Sequence, residues 1–186
     1  MKPRTTSISI HTGIFLALSL AWLAAGCSGS EEEPDPLPGD LEAGVALDGH
    51  GFVSVEDGDE FTLAPGAQGG FHIWVNLRLR GVSGDLYVER EARRTSDDEL
   101  VSRSIRQYVP VPDDALSDWW ENPDAMPSFL CPAPIGIQVN DQELLFDVRV
   151  TTEDGTPMAA DQMIVTVHCP DGAQAEFCLD ICSGNP

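Results

Sequence analysis

The densest chemistry in this sequence lies near its C-terminus. His168 is followed by Cys169, Cys178 and Cys182, spaced Cys-x8-Cys-x3-Cys. Residues of these types suit soft-metal coordination or disulfide formation. The spacing lacks the paired Cys-x2-Cys of zinc sites. No metal and no cofactor is therefore expected, and a metal-binding or redox protein using His168 and the tail cysteines is an alternative. Cys131 brings the group to four. An even number predicts two disulfides if the chain is exported, with all three pairings open. Elsewhere the sequence holds no Gly-x-Ser-x-Gly, no His-Glu-x-x-His and no phosphate-binding loop. His50 and His72 are paired with a nucleophile in no local motif. The expectation is a chain with no catalytic residues. A secreted enzyme on a β scaffold, its acid and base hidden among the abundant carboxylates, is the rival class.

Four aromatic or imidazole side chains form the candidate binding surface. His72 and Trp74 fall on the less apolar face of the strongest strand pattern, and aromatic residues are enriched at binding hot spots. The plainer reading covers Trp74 with a neighbouring connection and gives His72 a local hydrogen bond. Trp119 and Trp120 are adjacent among Asp113, Asp114, Asp118 and Glu121. They could stack on a sugar or anchor a protein partner, or one of them could plug the end of the core. Asp113, Asp114 and Asp118, or Glu153 and Asp154, are the acidic groups that calcium would use. Neither set has EF-hand spacing, and solvated loops are expected instead.

The fifth cysteine stands apart. Lys2 and Arg4 precede an apolar run, Ile14 to Leu23, and small residues lead to Cys27. The run is shorter than the roughly 20 residues that span a bilayer and has the layout of a secretory signal. Leu23-Ala24-Ala25-Gly26-Cys27 resembles the lipobox of bacterial lipoproteins. That resemblance implies cleavage before Cys27, acylation of its thiol, and a membrane partner reached through several acyl chains. With Ser28 rather than Asp next, it implies the outer membrane. The segment 1–26 carries two of the ten basic residues and none of the 31 acidic ones, so the remainder has a formal charge of −23. Such a surface repels phosphate backbones and disfavours a nucleic-acid partner.

The elements that must position these residues read as strands. Residues 27–42 form an acidic, proline-rich tether (Glu31–Glu33, then Pro34, Pro36 and Pro38) that cannot bury apolar surface. From 43 to 169 the apolar residues recur with period two. Phe71, Ile73, Val75, Leu77 and Leu79 share one strand face, and His72, Trp74, Asn76, Arg78 and Arg80 the other. Asp57-Gly58 predicts a hairpin. Leu86, Val88 and Arg90 share a face of a second strand, and Leu100 to Val109 predicts a third. Residues 110–134 form a long proline-rich connection, with Asp113 or Asp114 opening a short helix through Trp120. Ile135, Ile137 and Val139 suggest a short strand. Leu144 to Val150 and Met163 to Val167 suggest a pair around Asp154-Gly155. The tail, 170–186, is expected to be irregular and stapled by disulfides. Short strands with turn signals and no convincing amphipathic helix predict an all-β, antiparallel sandwich.

Leu144 to Cys169 (LLFDVRVTTEDGTPMAADQMIVTVHC) is similar to the last hairpin of bacterial immunoglobulin-like domains of the PKD and cadherin-like kind. Gln68 to Gly81 is similar to a segment of lipoproteins from myxobacteria and other deltaproteobacteria. These likenesses imply an immunoglobulin-like β-sandwich. They imply no catalytic residue, because one fold of this type serves many functions.

Overall fold

The computed structural model describes residues 36–104 and 106–185. The expected signal segment 1–26, Cys27, the expected tether as far as residue 35, and Ile105 lie outside the described residues. The described chain forms strands β1 (Asp40–Leu47), β2 (His50–Ser54), β3 (Asp59–Thr62), β4 (Ala64–Pro65), β5 (Phe71–Arg80) and β6 (Gly84–Arg94). It continues through β7 (Leu100–Arg103), β8 (Gln107–Val111), a 3-10 turn (Asp113–Leu116), β9 (Trp120–Glu121) and β10 (Met126–Cys131). Strands β11 (Gln142–Thr151) and β12 (Pro157–His168) and helix α1 (Ala175–Cys182) complete it.

Two sheets share one core. Sheet A runs β10-β5-β1-β2, with β4 and β9 also on β5. Sheet B runs β3-β12-β11-β6-β7, with β8 also on β6. This is the arrangement of an immunoglobulin-like sandwich: the first, second and fifth main strands in one sheet, the third, sixth and seventh in the other. The period-two pattern sets the faces. Phe71, Ile73, Val75, Leu77 and Leu79 of β5 face Leu144, Phe146, Val148 and Val150 of β11 and Val165 and Val167 of β12, and all are at most 3% exposed. Arg90 shares the inward face of β6 with Leu86 and Val88 and is 4% exposed. Its Nε donates to Ser128 Oγ at 3.0 Å, and it has no carboxylate partner among the described residues. Burial pushes its guanidinium down to about 10. Among the described residues, no helix is long and apolar enough to cross a membrane.

Several elements differ from the sequence pattern. The first hairpin turns at Asp48-Gly49, not at Asp57-Gly58. Both Asp48 (φ 55°) and Gly49 (φ 83°) are left-handed, as a tight two-residue turn requires. Beyond Asp57-Gly58, β3 pairs parallel to β12 instead of folding back. Strand β1 begins at Asp40, inside the stretch expected as tether, because Leu41 and Glu42 already pair with β5. The expected third strand is split into β7 and β8. At the break, Ser104 Oγ accepts the Arg90 backbone N–H at 2.8 Å. The 110–134 connection is not irregular throughout: β10 pairs with β5 along most of its length, and the expected helix is only the 3-10 turn.

Residues 135–139 form no strand. Their backbone bonds to the tail instead, through Gly136 N–H to Gly184 C=O (2.7 Å) and Val139 N–H to Cys182 C=O (2.8 Å). The tail is not irregular throughout, since α1 occupies eight of its residues. Disulfides Cys131–Cys182 and Cys169–Cys178 clamp α1 to the ends of β10 and β12. The first closes a loop with a sequence separation of 51. Chain entropy alone assigns such a loop about 4 kcal/mol.

Candidate functional site

Sheet A turns one row of β5 outward: His72, Trp74, Asn76, Arg78 and Arg80. The register with β1 sets Glu42 opposite Arg78 and Asp40 opposite Arg80. Arg78 donates to Glu42 through Nε at 2.7 Å, and its terminal nitrogen bonds the same carboxylate oxygen. Arg80 donates to Asp40 through Nε (3.0 Å) and a terminal nitrogen (2.6 Å). Burial pushes the Glu42 carboxyl up. The Ser54 hydroxyl, donating at 2.6 Å, and the Arg78 guanidinium outweigh that and hold it below the usual carboxylate range.

Trp119 lies across this pair of arginines. The guanidinium carbons of Arg78 and Arg80 are each 4.9 Å from its ring centroid, two cation–π contacts. Trp119 keeps 38% of its surface exposed. Trp120, the first residue of β9, pairs with Leu79 of β5 and packs against the core instead. The adjacent tryptophans therefore do different jobs. Phe52 completes the patch, 5.2 Å from the Arg78 guanidinium. Its ring lies over Gly44, where a Cβ would stand 2.6 Å from it. Only glycine admits that close approach.

Asn76, fully buried, ties both flanks of the patch to β5. Its Nδ2 donates to the Gly51 carbonyl in β2 (2.7 Å) and to the Asn122 carbonyl just after β9 (3.0 Å). Its Oδ1 accepts the Leu77 N–H at 2.9 Å. Besides their strand pairings, the pieces that carry Phe52 and Trp119 are thus both bonded to one amide.

Towards the other end of β5 the row closes. Trp74 is half-buried, with Gly49 of the first hairpin against its ring and Pro127 of β10, from the 110–134 connection, opposite it in register. It walls a cleft of about 470 Å³ with Leu47, Asp48, Glu60, Phe61 and Thr62. His72 is 3% exposed and is not surface at all. Trp74 meets it edge-on at 4.5 Å, and Phe129 of β10 covers it at 5.1 Å. Neither ring nitrogen has a hydrogen-bond partner, so the expected local bond is absent. Burial pushes the imidazole below its ordinary value and keeps it neutral. Of the four predicted surface residues, Trp119 is exposed, Trp74 half-exposed, and His72 and Trp120 turn inward or lie covered. Arg78, Arg80 and Phe52 were not singled out from the sequence. The two arginines on the face opposite the apolar row were the available signal. Phe52 reaches the patch only through the hairpin's fold.

The metal candidates resolve differently. Among the described residues, the one group of three or more His, Cys, Asp or Glu side chains with converging ligand atoms is Cys169, Cys178 and Cys182. All three sulfurs are in disulfides. His168 turns to Asp141, with Nδ1 2.7 Å from its carboxylate, and to Glu60, 3.6 Å from Nε2. Asp154 caps its own turn, accepting from Thr156 N–H (3.2 Å) and Thr156 Oγ1 (2.9 Å). Those bonds hold the Asp154 carboxyl below its usual range, with the Thr152 hydroxyl as the largest contributor.

No family model matches the chain, and no curated protein matches it by sequence. Among solved structures, a glycosyl hydrolase family 2 member from Bacteroides cellulosilyticus DSM 14838 is 13% identical, with a TM-score of 0.41. The likeness covers 69% of this chain and 15% of that one. At that score it says nothing about catalysis here.

Proposed function

We propose that this chain is a lipid-anchored cell-envelope protein that holds a polypeptide partner, without catalysis, on the outer face of sheet A. The observation that carries the reading is Trp119, exposed and in cation–π contact with both Arg78 and Arg80. Trp and Arg dominate binding hot spots, and a pre-ordered aromatic loses little freedom on docking. Both arginines are already neutralised by Glu42 and Asp40. The patch therefore favours a mixed polar and apolar protein surface over a polyanion. Acyl chains on Cys27 would supply the membrane attachment, the acidic stretch after it the reach, and the outer membrane the location. Two disulfides suit an oxidising compartment.

Two experiments test this. Cys27→Ser is expected to move the protein from the membrane to the soluble fraction, and retention would remove the anchor. A photo-crosslinking residue at Leu116, exposed and three residues before Trp119 in the chain, is expected to capture a discrete partner in native membranes. The same probe at Glu89, on sheet B, should not. Trp119→Ala should abolish the adduct. An adduct that survives Trp119→Ala would refute the patch. Trp119-dependent sedimentation with purified cell-wall glycan would reassign the ligand to carbohydrate.

A further inference from the structure

The two disulfides are not independent. Cys178 and Cys182 lie one turn apart on α1, and their Sγ atoms, which belong to different disulfides, are 3.6 Å apart. Cys131, Cys178 and Cys182 are 2%, 0% and 0% exposed, whereas Cys169 is partly open to solvent. We propose that Cys169 is a thiol-exchange site, and that attack there by a dithiol shifts the buried Cys131–Cys182 cross-link onto α1 itself.

The steps balance as follows. An external dithiol, as its thiolate, attacks Cys169 Sγ, the accessible sulfur. A mixed disulfide forms, the Cys169–Cys178 bond breaks, and Cys178 leaves as a thiolate. That thiolate already touches Cys182 Sγ. It attacks, the Cys178–Cys182 bond forms, the Cys131–Cys182 bond breaks, and Cys131 leaves as a thiolate and takes up a proton. The second thiol of the dithiol then displaces Cys169 and departs as a disulfide. The dithiol loses two electrons, and the protein exchanges two disulfides for one disulfide and two thiols. Residues four apart on a helix rise about 6 Å along its axis, within the span a disulfide bridges.

The new bond joins two residues of one helix and so fastens α1 to nothing else. In the parent state the cross-links tie α1 to β10 and to the end of β12. After exchange α1 is held by Phe177 against Phe71 (5.9 Å between rings) and by backbone bonds that Ile181 and Cys182 accept from Ala133 and Val139, with Gly184 just beyond it accepting from Gly136. A dithiol acting on one partly exposed residue thereby loosens the cap over the end of the core. The inference is independent of any partner on sheet A.

The test uses the full mature chain and one equivalent of dithiothreitol without oxygen, with acid quenching at intervals. Alkylation and cleavage ahead of Asp180, which separates Cys178 from Cys182, then locate the thiols by mass. The expected pattern is label on Cys131 and Cys169 with a common rate constant, and the Cys178 and Cys182 peptides still linked. Label on Cys169 and Cys178 with Cys131–Cys182 intact would overturn the proposal, as would any other pairing. A second variant, Cys169→Ser with Cys178→Ser, keeps the cross-link to β10 and removes the relay. Reduction of its Cys131–Cys182 bond is expected to be at least about tenfold slower than release of Cys131 in the parent. Equal rates would also overturn it.

Discussion

Replacing Asn76 tests whether one buried amide organises the candidate face. Leucine has nearly the same shape, so Asn76→Leu removes hydrogen bonds without opening a cavity. It deletes donors to the Gly51 and Asn122 carbonyls and the acceptor for the Leu77 N–H. Three such bonds at about 1 kcal/mol each give a loss of about 3 kcal/mol. Asn76→Asp goes further. At neutral pH it places a carboxylate, wholly buried, against two carbonyl oxygens. Burial and the missing donor raise its folded pKa above the unfolded value of about 4. The sign follows: this variant is nearest the parent below that value, where the protonated acid can donate, and falls away as pH rises through the raised folded pKa. Urea unfolding with disulfides intact, at about pH 4 and about pH 7, measures both effects as differences from the parent, so the other carboxylates cancel. Asn76→Asp should be the worse variant at the higher pH. A loss below about 1 kcal/mol for Asn76→Leu, or a deficit in Asn76→Asp that ignores pH, would refute the argument. The flanks carrying Phe52 and Trp119 would then be held by their strand pairings alone.

Two further outcomes follow from the geometry. Gly184→Ala should cost at least about 2 kcal/mol in the same assay, because φ is +69° and a Cβ would stand 2.6 Å from the Ile137 backbone. Gly155→Ala, at φ +90° with open space around it, should cost only about 1 kcal/mol, and equal losses would show that the tail packs loosely on Ile137. Glu42→Gln should be less stable than the parent at neutral pH. Because the Glu42 carboxyl is held low in the fold, that deficit should close as pH falls through the carboxylate range, and a pH-independent deficit would remove the Arg78 and Ser54 bonds as its cause.

The all-β sandwich was legible in the sequence because alternation is local. Phe71 to Arg80 sorts its own residues into core and outer face at every second position, and the same rule put Arg90 inward with Leu86 and Val88. Cysteine parity and the absence of paired metal spacing pointed to two disulfides. What the chain pairs with across long separations was not legible. Asp48-Gly49 and Asp57-Gly58 are equally good turns, and only the parallel seating of β3 beside β12 decides which one closes a hairpin. Residues 135–139 carry a strand pattern, but the C-terminal segment takes their hydrogen bonds first. The choice among three disulfide pairings, the burial of His72 under Phe129, and the meeting of Phe52 with Trp119 over Arg78 all depend on elements far apart in sequence. Periodicity assigns a side chain to a face. Which neighbour covers that face is a property of the packed sheets alone.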